Sequence, residues 1–185
     1  MNFKRMKYFA LSFLLLSGCS SMTQMVKPDE KIANNDSLVL GRLVIQNPNN
    51  IALIMYFKNI NTGKSYAIKK WNHIPLFGPK DEDGTGYFAI NLPPGRYWCY
   101  KLVQQGFWEG VRNIDLYFNV PTASTVYIGS LIYDVSNMKN MLYLVATMKI
   151  SISVADEQDD AIYYFKDFNY NIGTNIVKNL MSKDL

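Results

Sequence analysis

The chain is written as short apolar runs, each cut off by a turn signal. "LVLGRLVIQ" (38–46) stops at Asn47-Pro48-Asn49-Asn50, and "IALIMYFKNI" (51–60) stops at Asn61-Thr62-Gly63. "KSYAIKKW" (64–71) then completes the pattern of a hairpin. A longer loop, "NHIPLFGPKDEDGT", leads to "GYFAINL" (86–92), and Pro93-Pro94-Gly95 separates that run from "RYWCYKLVQQ" (96–105). "VRNIDLYFNV" (111–120), "STVYIGSLIYDV" (124–135) and "MLYLVATMKISISV" (141–154) follow. Runs of this length, rich in Val, Ile, Tyr and Phe, fit a pleated, half-buried surface better than a helix. Some seven to eight such strands hide their apolar faces by stacking two sheets, so the pattern predicts a mainly β, antiparallel sandwich. The run at 141–154 contains Lys149 and is too short and too polar to cross a bilayer.

From about residue 156 the character changes. Asp156 is placed to cap a helix whose first turn is Glu157-Gln158-Asp159-Asp160, with acids where the positive end of the helix dipole favours them. Ile162, Phe165 and Phe168 continue at near-helical spacing, and Ile176, Val177 and Leu180 suggest a second helix after Gly173-Thr174. One or two C-terminal helices are therefore expected on a sheet face or edge.

The stretch "GYFAINLPPGRYWCY" (86–100) is the most specific of the domain. Pro93 and Pro94 stiffen the chain and remove two amide donors, so they belong at a strand end. Gly95 supplies the positive φ that closes a turn. Beyond it, Tyr97 and Cys99 fall on one face and Trp98 and Tyr100 on the other, with Tyr97 expected inward. Strand, Pro-Pro-Gly, then an aromatic two residues on resembles the hairpin of prealbumin-like (transthyretin-like) sandwiches and of small bacterial lipoproteins built on them. "VYIGSLIYDV" followed by an acid-started helix is similar to the end of those lipoproteins. The resemblance implies a prealbumin-like fold over most of 38–168 and implies no activity, because fold does not carry function.

Residues 1–18 have three parts: a positive head of Lys4, Arg5 and Lys7, an apolar core from Tyr8 to Leu16, and small Ser17 and Gly18. That is the layout of a secretory signal, since a membrane span needs about 20 apolar residues. Leu16-Ser17-Gly18-Cys19 resembles, at all four positions, the lipobox of bacterial lipoproteins. The resemblance implies cleavage before Cys19, a diacylglycerol thioether on its sulfur, and usually a third acyl chain on the new amino group. Each buried methylene would contribute about 0.8 kcal/mol to membrane anchoring. Ser20 stands where the sorting rule of such lipoproteins has Asp for inner-membrane retention, which implies transfer to the outer membrane. Residues 20–37 are polar and aperiodic and read as a tether able to reach about 60 Å at full stretch. The expected organisation is a signal (1–18), a lipidated Cys19 with its tether (19–37), and a domain (38–185).

Composition narrows the chemistry. The formal charge is +4, and Lys4, Arg5 and Lys7 lie in the segment to be removed, so the rest is close to neutral. Nucleic-acid binding wants a clustered basic patch, and the sequence has none. With Cys19 acylated, Cys99 has no disulfide partner and is expected to be a small buried hydrophobe. His73, the one histidine, has no second His, no cysteine pair and no H-E-x-x-H beside it, so no zinc site is expected. Asp81-Glu82-Asp83-Gly84 breaks the ligand order of a calcium loop, whose twelfth position would be Leu92. Phosphate-loop, nucleophile-elbow and dinucleotide signatures are missing, so neither a cofactor nor an enzyme is expected.

Aromatic surface is what remains. "QQGFWEG" (104–110) sets Phe107 and Trp108 between two strands, and Trp71, His73, Leu76 and Phe77 surround the long loop. Such side chains either fold back to cap the open ends of the sandwich or form a binding hot spot. The expectation is a membrane-anchored, periplasm-facing lipoprotein, acting as a non-catalytic interaction or accessory module of the envelope with a protein partner. The alternative is a small-molecule or glycan binder that stacks ligands on Phe107, Trp108, Trp71 and Phe77. Replacement Cys19→Ser should abolish palmitate labelling and leave the chain unprocessed on a gel; normal processing of that variant would refute the lipobox.

Overall fold

Turn residues decide where pairing stops. In the computed structural model, which describes residues 25–27, 35–46, 52–71, 85–105, 109–135 and 150–183, the first seven apolar runs are strands. They are β1 (Ser37–Gln46), β2 (Ala52–Asn59), β3 (Ser65–Trp71), β4 (Tyr87–Leu92), β5 (Gly95–Gln105), β6 (Gly110–Val120) and β7 (Thr125–Asp134). Each end lies within one residue of the boundary set by the turn signals. β8 (Ser151–Ala155), α1 (Gln158–Asp167) and β9 (Ile176–Lys178) follow. The first part of the expected strand, 141–149, lies outside the described residues.

The strands form two sheets. One has the order β4-β1-β7-β8, with β9 also on β7, and the other has the order β3-β2-β5-β6. The molecule is thus mainly β and sandwich-like, with one helix among the described residues. β2 and β3 form the expected hairpin, closed by Asn59, whose Oδ1 accepts the amides of Asn61 (3.0 Å) and Thr62 (3.1 Å).

Three features depart from the sequence reading. The pairing is not wholly antiparallel: β1 and β7 run parallel, as do β7 and β9. β7 follows β6, which belongs to the other sheet, so a crossover and not a hairpin sets its direction. Residues 176–178 are a strand and not part of a helix. β8 covers β7 only over Ser130–Asp134, and the edge left at Thr125–Tyr127 takes Ile176, Val177 and Lys178. Two consecutive β-branched residues suit that edge. Finally, Pro93-Pro94-Gly95 closes no hairpin. β4 pairs with β1, and β5 pairs with β2 and β6, so the segment is a corner leading from one sheet to the other.

The corner is held by the residues that made it conspicuous. Gly95 has φ +149°, and a Cβ there would lie 2.6 Å from Asn59 Nδ2. Tyr97 points inward and is fully buried, and its hydroxyl donates to the Pro93 carbonyl at 2.7 Å. Its ring stacks on Phe118 (5.2 Å) and meets Phe57 and Tyr66 edge-on (6.0 and 5.8 Å). Such pairs contribute about 0.5–1.5 kcal/mol beyond the area they bury. Cys99, two residues on, is also fully buried, and burial alone pushes its thiol far up, so it stays protonated.

Helix α1 covers the outer face of the β1 sheet. Ala161 and Phe165 are buried there against Leu38, Leu40, Tyr87, Ala89 and Tyr127, and Tyr164 stacks on Tyr87 at 4.3 Å. Burying a side chain such as Phe165 contributes about 1.5–3 kcal/mol. Asp159 and Asp160 sit in the first turn, as expected from the dipole, and Glu157 occupies the N-cap without a side-chain cap bond. Asp156 instead binds Lys178 at 2.6 Å, with its other oxygen 3.4 Å from the Gln158 amide. Upstream, Val26 donates its amide to the Ala89 carbonyl of β4 at 2.7 Å and buries its side chain beside that strand.

The corner gives a stability prediction. Gly95→Ala should cost about 1–3 kcal/mol through backbone strain and the Asn59 contact, and Tyr97→Phe about 1 kcal/mol through the lost hydrogen bond. Both are read from urea midpoints; an unchanged midpoint for Gly95→Ala would show that the corner relaxes freely.

Candidate functional site

Of the residues singled out from the sequence, Cys19, His73, Leu76, Phe77, the acidic stretch 81–84, Phe107 and Trp108 lie outside the described residues. Only the backbone of Trp71 is described, ending β3 opposite Ala52. The described residues instead present three other places where side-chain chemistry gathers.

The first lies at the start of α1. β7 bulges at Gly129, which has φ +97°, and the β1–β7 register shifts between Leu40 and Arg42. The bulge brings Tyr127 and Ser130 to the same outer face, beside Arg42. Glu157 meets them there: its Oε2 accepts from Ser130 Oγ at 2.7 Å and from the Arg42 guanidinium at 3.1 Å. Its backbone amide donates to the Tyr127 hydroxyl at 2.9 Å. Arg42 also donates to the Thr85 carbonyl at 3.0 Å and lies over the Tyr87 ring at 4.7 Å. Burial, the largest influence, raises the Tyr127 phenol above its ordinary value. A serine beside a carboxylate invites a catalytic reading. Here, however, the carboxylate, the guanidinium and both hydroxyls bind one another, and the arrangement fastens the helix to the sheet.

The second is the outer face of the β3-β2-β5-β6 sheet. Trp98 and Tyr100 point outward, as their alternation with Tyr97 and Cys99 required. Lys58 Nζ lies 4.6 Å over the Trp98 ring, Lys101 Nζ lies 4.1 Å over Tyr56, and the Arg96 guanidinium lies 5.0 Å over Tyr117. Trp98 and Tyr117 stack at 6.4 Å. Lys69 donates to Gln105 Oε1 at 2.9 Å. One carboxylate, Asp115, stands at the β6 edge, and its hydrogen bond with Tyr117 is the main reason that phenol is raised. These side chains are mostly half-buried, and Trp98 Nε1 is buried without a hydrogen-bond partner. At the other end of the face, Ile54, Ala67 and Val103 are buried together.

The third is a groove along the rim, between β6 of one sheet and β8 of the other. It has a volume of about 760 Å3 and is lined by residues 113–116, 152–154 and 181–183. The C-terminal segment closes the rest of this rim. Tyr117 and Ser182 exchange two backbone bonds (2.7 and 3.0 Å), and Met181 donates to the Ile128 carbonyl at 3.0 Å. Asn119 donates to Asn179 Oδ1 at 2.8 Å. β6 therefore already accepts a strand-like partner at Tyr117, and the groove begins beside that point.

Among the described residues, no group of three or more His, Cys, Asp or Glu side chains is placed to hold a metal ion. Among them, no helix is long and apolar enough to cross a membrane. Compared with family models, curated proteins and solved structures, the chain matches none.

Sequence reasoning missed the Arg42–Ser130–Glu157 cluster, because Glu157 already had a role as a helix-start acid. It missed the rim groove because no local pattern marks a free sheet edge. Glu157→Ala would leave Arg42 and the buried Ser130 short of a half-buried acceptor and should cost about 1 kcal/mol or more. Hydrogen exchange should then speed up in α1 and leave β2 and β5 unchanged; an unchanged helix would remove the fastening role.

Proposed function

We propose that the chain is a lipid-anchored, periplasm-facing accessory module of the cell envelope, probing a protein partner through the rim groove between β6 and β8. The observation that carries this reading is the groove itself. Two strand edges from facing sheets flank an apolar floor that includes Leu116, Ile152, Val154 and Met181. Such an edge binds an extended segment by main-chain hydrogen bonds, while the floor selects alternate side chains. The Tyr117–Ser182 bridge supports it, because the chain's own C-terminal segment already uses β6 in this way.

The anchor rests on the resemblance of Leu16-Ser17-Gly18-Cys19 to a lipobox. A prealbumin-like sandwich is supported by the two sheets and their four-strand paths. A non-catalytic role is supported by the buried, protonated Cys99 and by the structural engagement of Ser130 and Glu157. Photo-crosslinking residues placed at Asn113 and Ser153, both exposed, should capture a discrete envelope protein in cells. The same probe at Tyr163, 74% exposed on α1, should not. Ile152→Asp should abolish the adduct; equal capture at Tyr163, or no adduct at the groove, overturns the proposal.

A further inference from the structure

We infer that the outer face of the β3-β2-β5-β6 sheet docks on the head-group layer of an anionic phospholipid membrane. For proximity the inference rests on the lipid-anchor reading; for the contact it rests on the face itself.

Proximity comes from Val26. Its backbone bond to Ala89 joins the upstream segment to β4, and six residues separate Val26 from Cys19. That chain spans about 25 Å when fully extended. The reach is less than half of what the whole polar stretch would allow, so an acylated Cys19 holds the domain against its bilayer and cannot let it stand off.

The two sheet faces are not equivalent candidates for that contact. α1 covers the outer face of the β1 sheet. Among the described residues of its strands, the opposite face carries Lys58, Lys69, Arg96 and Lys101, with the acid Asp115 at its edge. Lys58 and Lys101 sit over aromatic rings. Moving such a lysine from a half-buried ring to a phosphate costs little, since contacts of this kind contribute only about 0.5–1 kcal/mol towards the solvent-exposed end of their range.

The aromatic component agrees with the same surface. Trp and Tyr settle at the head-group level of a bilayer, where an apolar ring and a polar tip are both accommodated, and basic side chains are drawn to anionic lipid. Trp98, Tyr56, Tyr100 and Tyr117 all project from paired strands of this face, whose register shifts at Tyr56/Phe57 and at Cys99/Lys101. A broad sheet face suits a membrane surface. A small ligand would want the concavity that this molecule has elsewhere, along the rim.

The test is lysine footprinting of the full protein purified in detergent and mixed with preformed vesicles. Trace acetylation of Lys58 and Lys101 should slow about fivefold or more with phosphatidylglycerol vesicles relative to phosphatidylcholine alone. High salt should restore it, and Lys166, exposed on α1, should react alike throughout. Equal labelling of Lys58 and Lys101 on both vesicles overturns the inference. So does protection found only in intact envelopes, which would give the face to a protein. The mass of the N-terminal peptide reports acylation separately. An unmodified Cys19 removes the anchor reading, whereas the footprint still decides the face.

Discussion

β7 is paired on both sides, and Gly129 is where its two halves part. Its φ of +97° shifts the register against β1 and turns Tyr127 and Ser130 to the same outer face. On the opposite edge, β8 takes Ser130–Asp134 and β9 takes Thr125–Tyr127, so the residue also divides one strand edge between two partners. α1 is the connection between those partners. The Glu157 cluster that fastens it consists of the side chains that the bulge brings together. A side chain at position 129 would be strained by the backbone and would meet Val154 Cγ1 at 2.8 Å. Helix placement, the seat of the C-terminal strand and the Glu157 cluster therefore share one backbone cause.

The second constraint is the passage between sheets at residues 93–95. Proline there cannot donate to a ladder, so β4 must end, and the chain is free to leave its sheet. Tyr97 then locks the departure, because its hydroxyl returns to Pro93 while its ring sits among Phe57, Tyr66 and Phe118. The outward positions of the same strand inherit their direction from this lock. With Tyr97 and Cys99 inside, Trp98 and Tyr100 have no alternative to the outer face. The aromatic surface is thus a consequence of how the corner is secured.

How much of this was legible in the sequence follows from range. Strand ends were legible because Asn, Pro and Gly act on their own neighbours, and the inward Tyr97 because alternation is local. The corner was misread as a hairpin, since Pro-Pro-Gly specifies that a strand stops and not what the next strand pairs with. Residues 176–180 were misread as helical because Ile, Val and Leu at that spacing suit either state, and the vacant edge on β7 decided it. Arg42 and Ser130 were invisible as partners of Glu157, lying 115 and 27 residues from it. The cation–aromatic face was half legible: Trp98 and Tyr100 announced themselves, whereas Lys58 and Tyr56 arrive from another strand.

These ranges also explain why the molecule has two chemically unlike sides. One helix covers one outer face, and its apolar residues need an apolar sheet beneath them, which Leu38, Leu40 and Ala89 provide. No element among the described residues performs that service for the Trp98 side, and a bare apolar sheet would aggregate. Cations laid across aromatic rings solve the problem locally, because they keep the face wet while shielding the ring faces. On the proposal made above, those same cations turn from the rings to an anionic lipid surface. Among the described residues, the two sheets thus meet one need by different means, a helix over one outer face and cations over rings on the other.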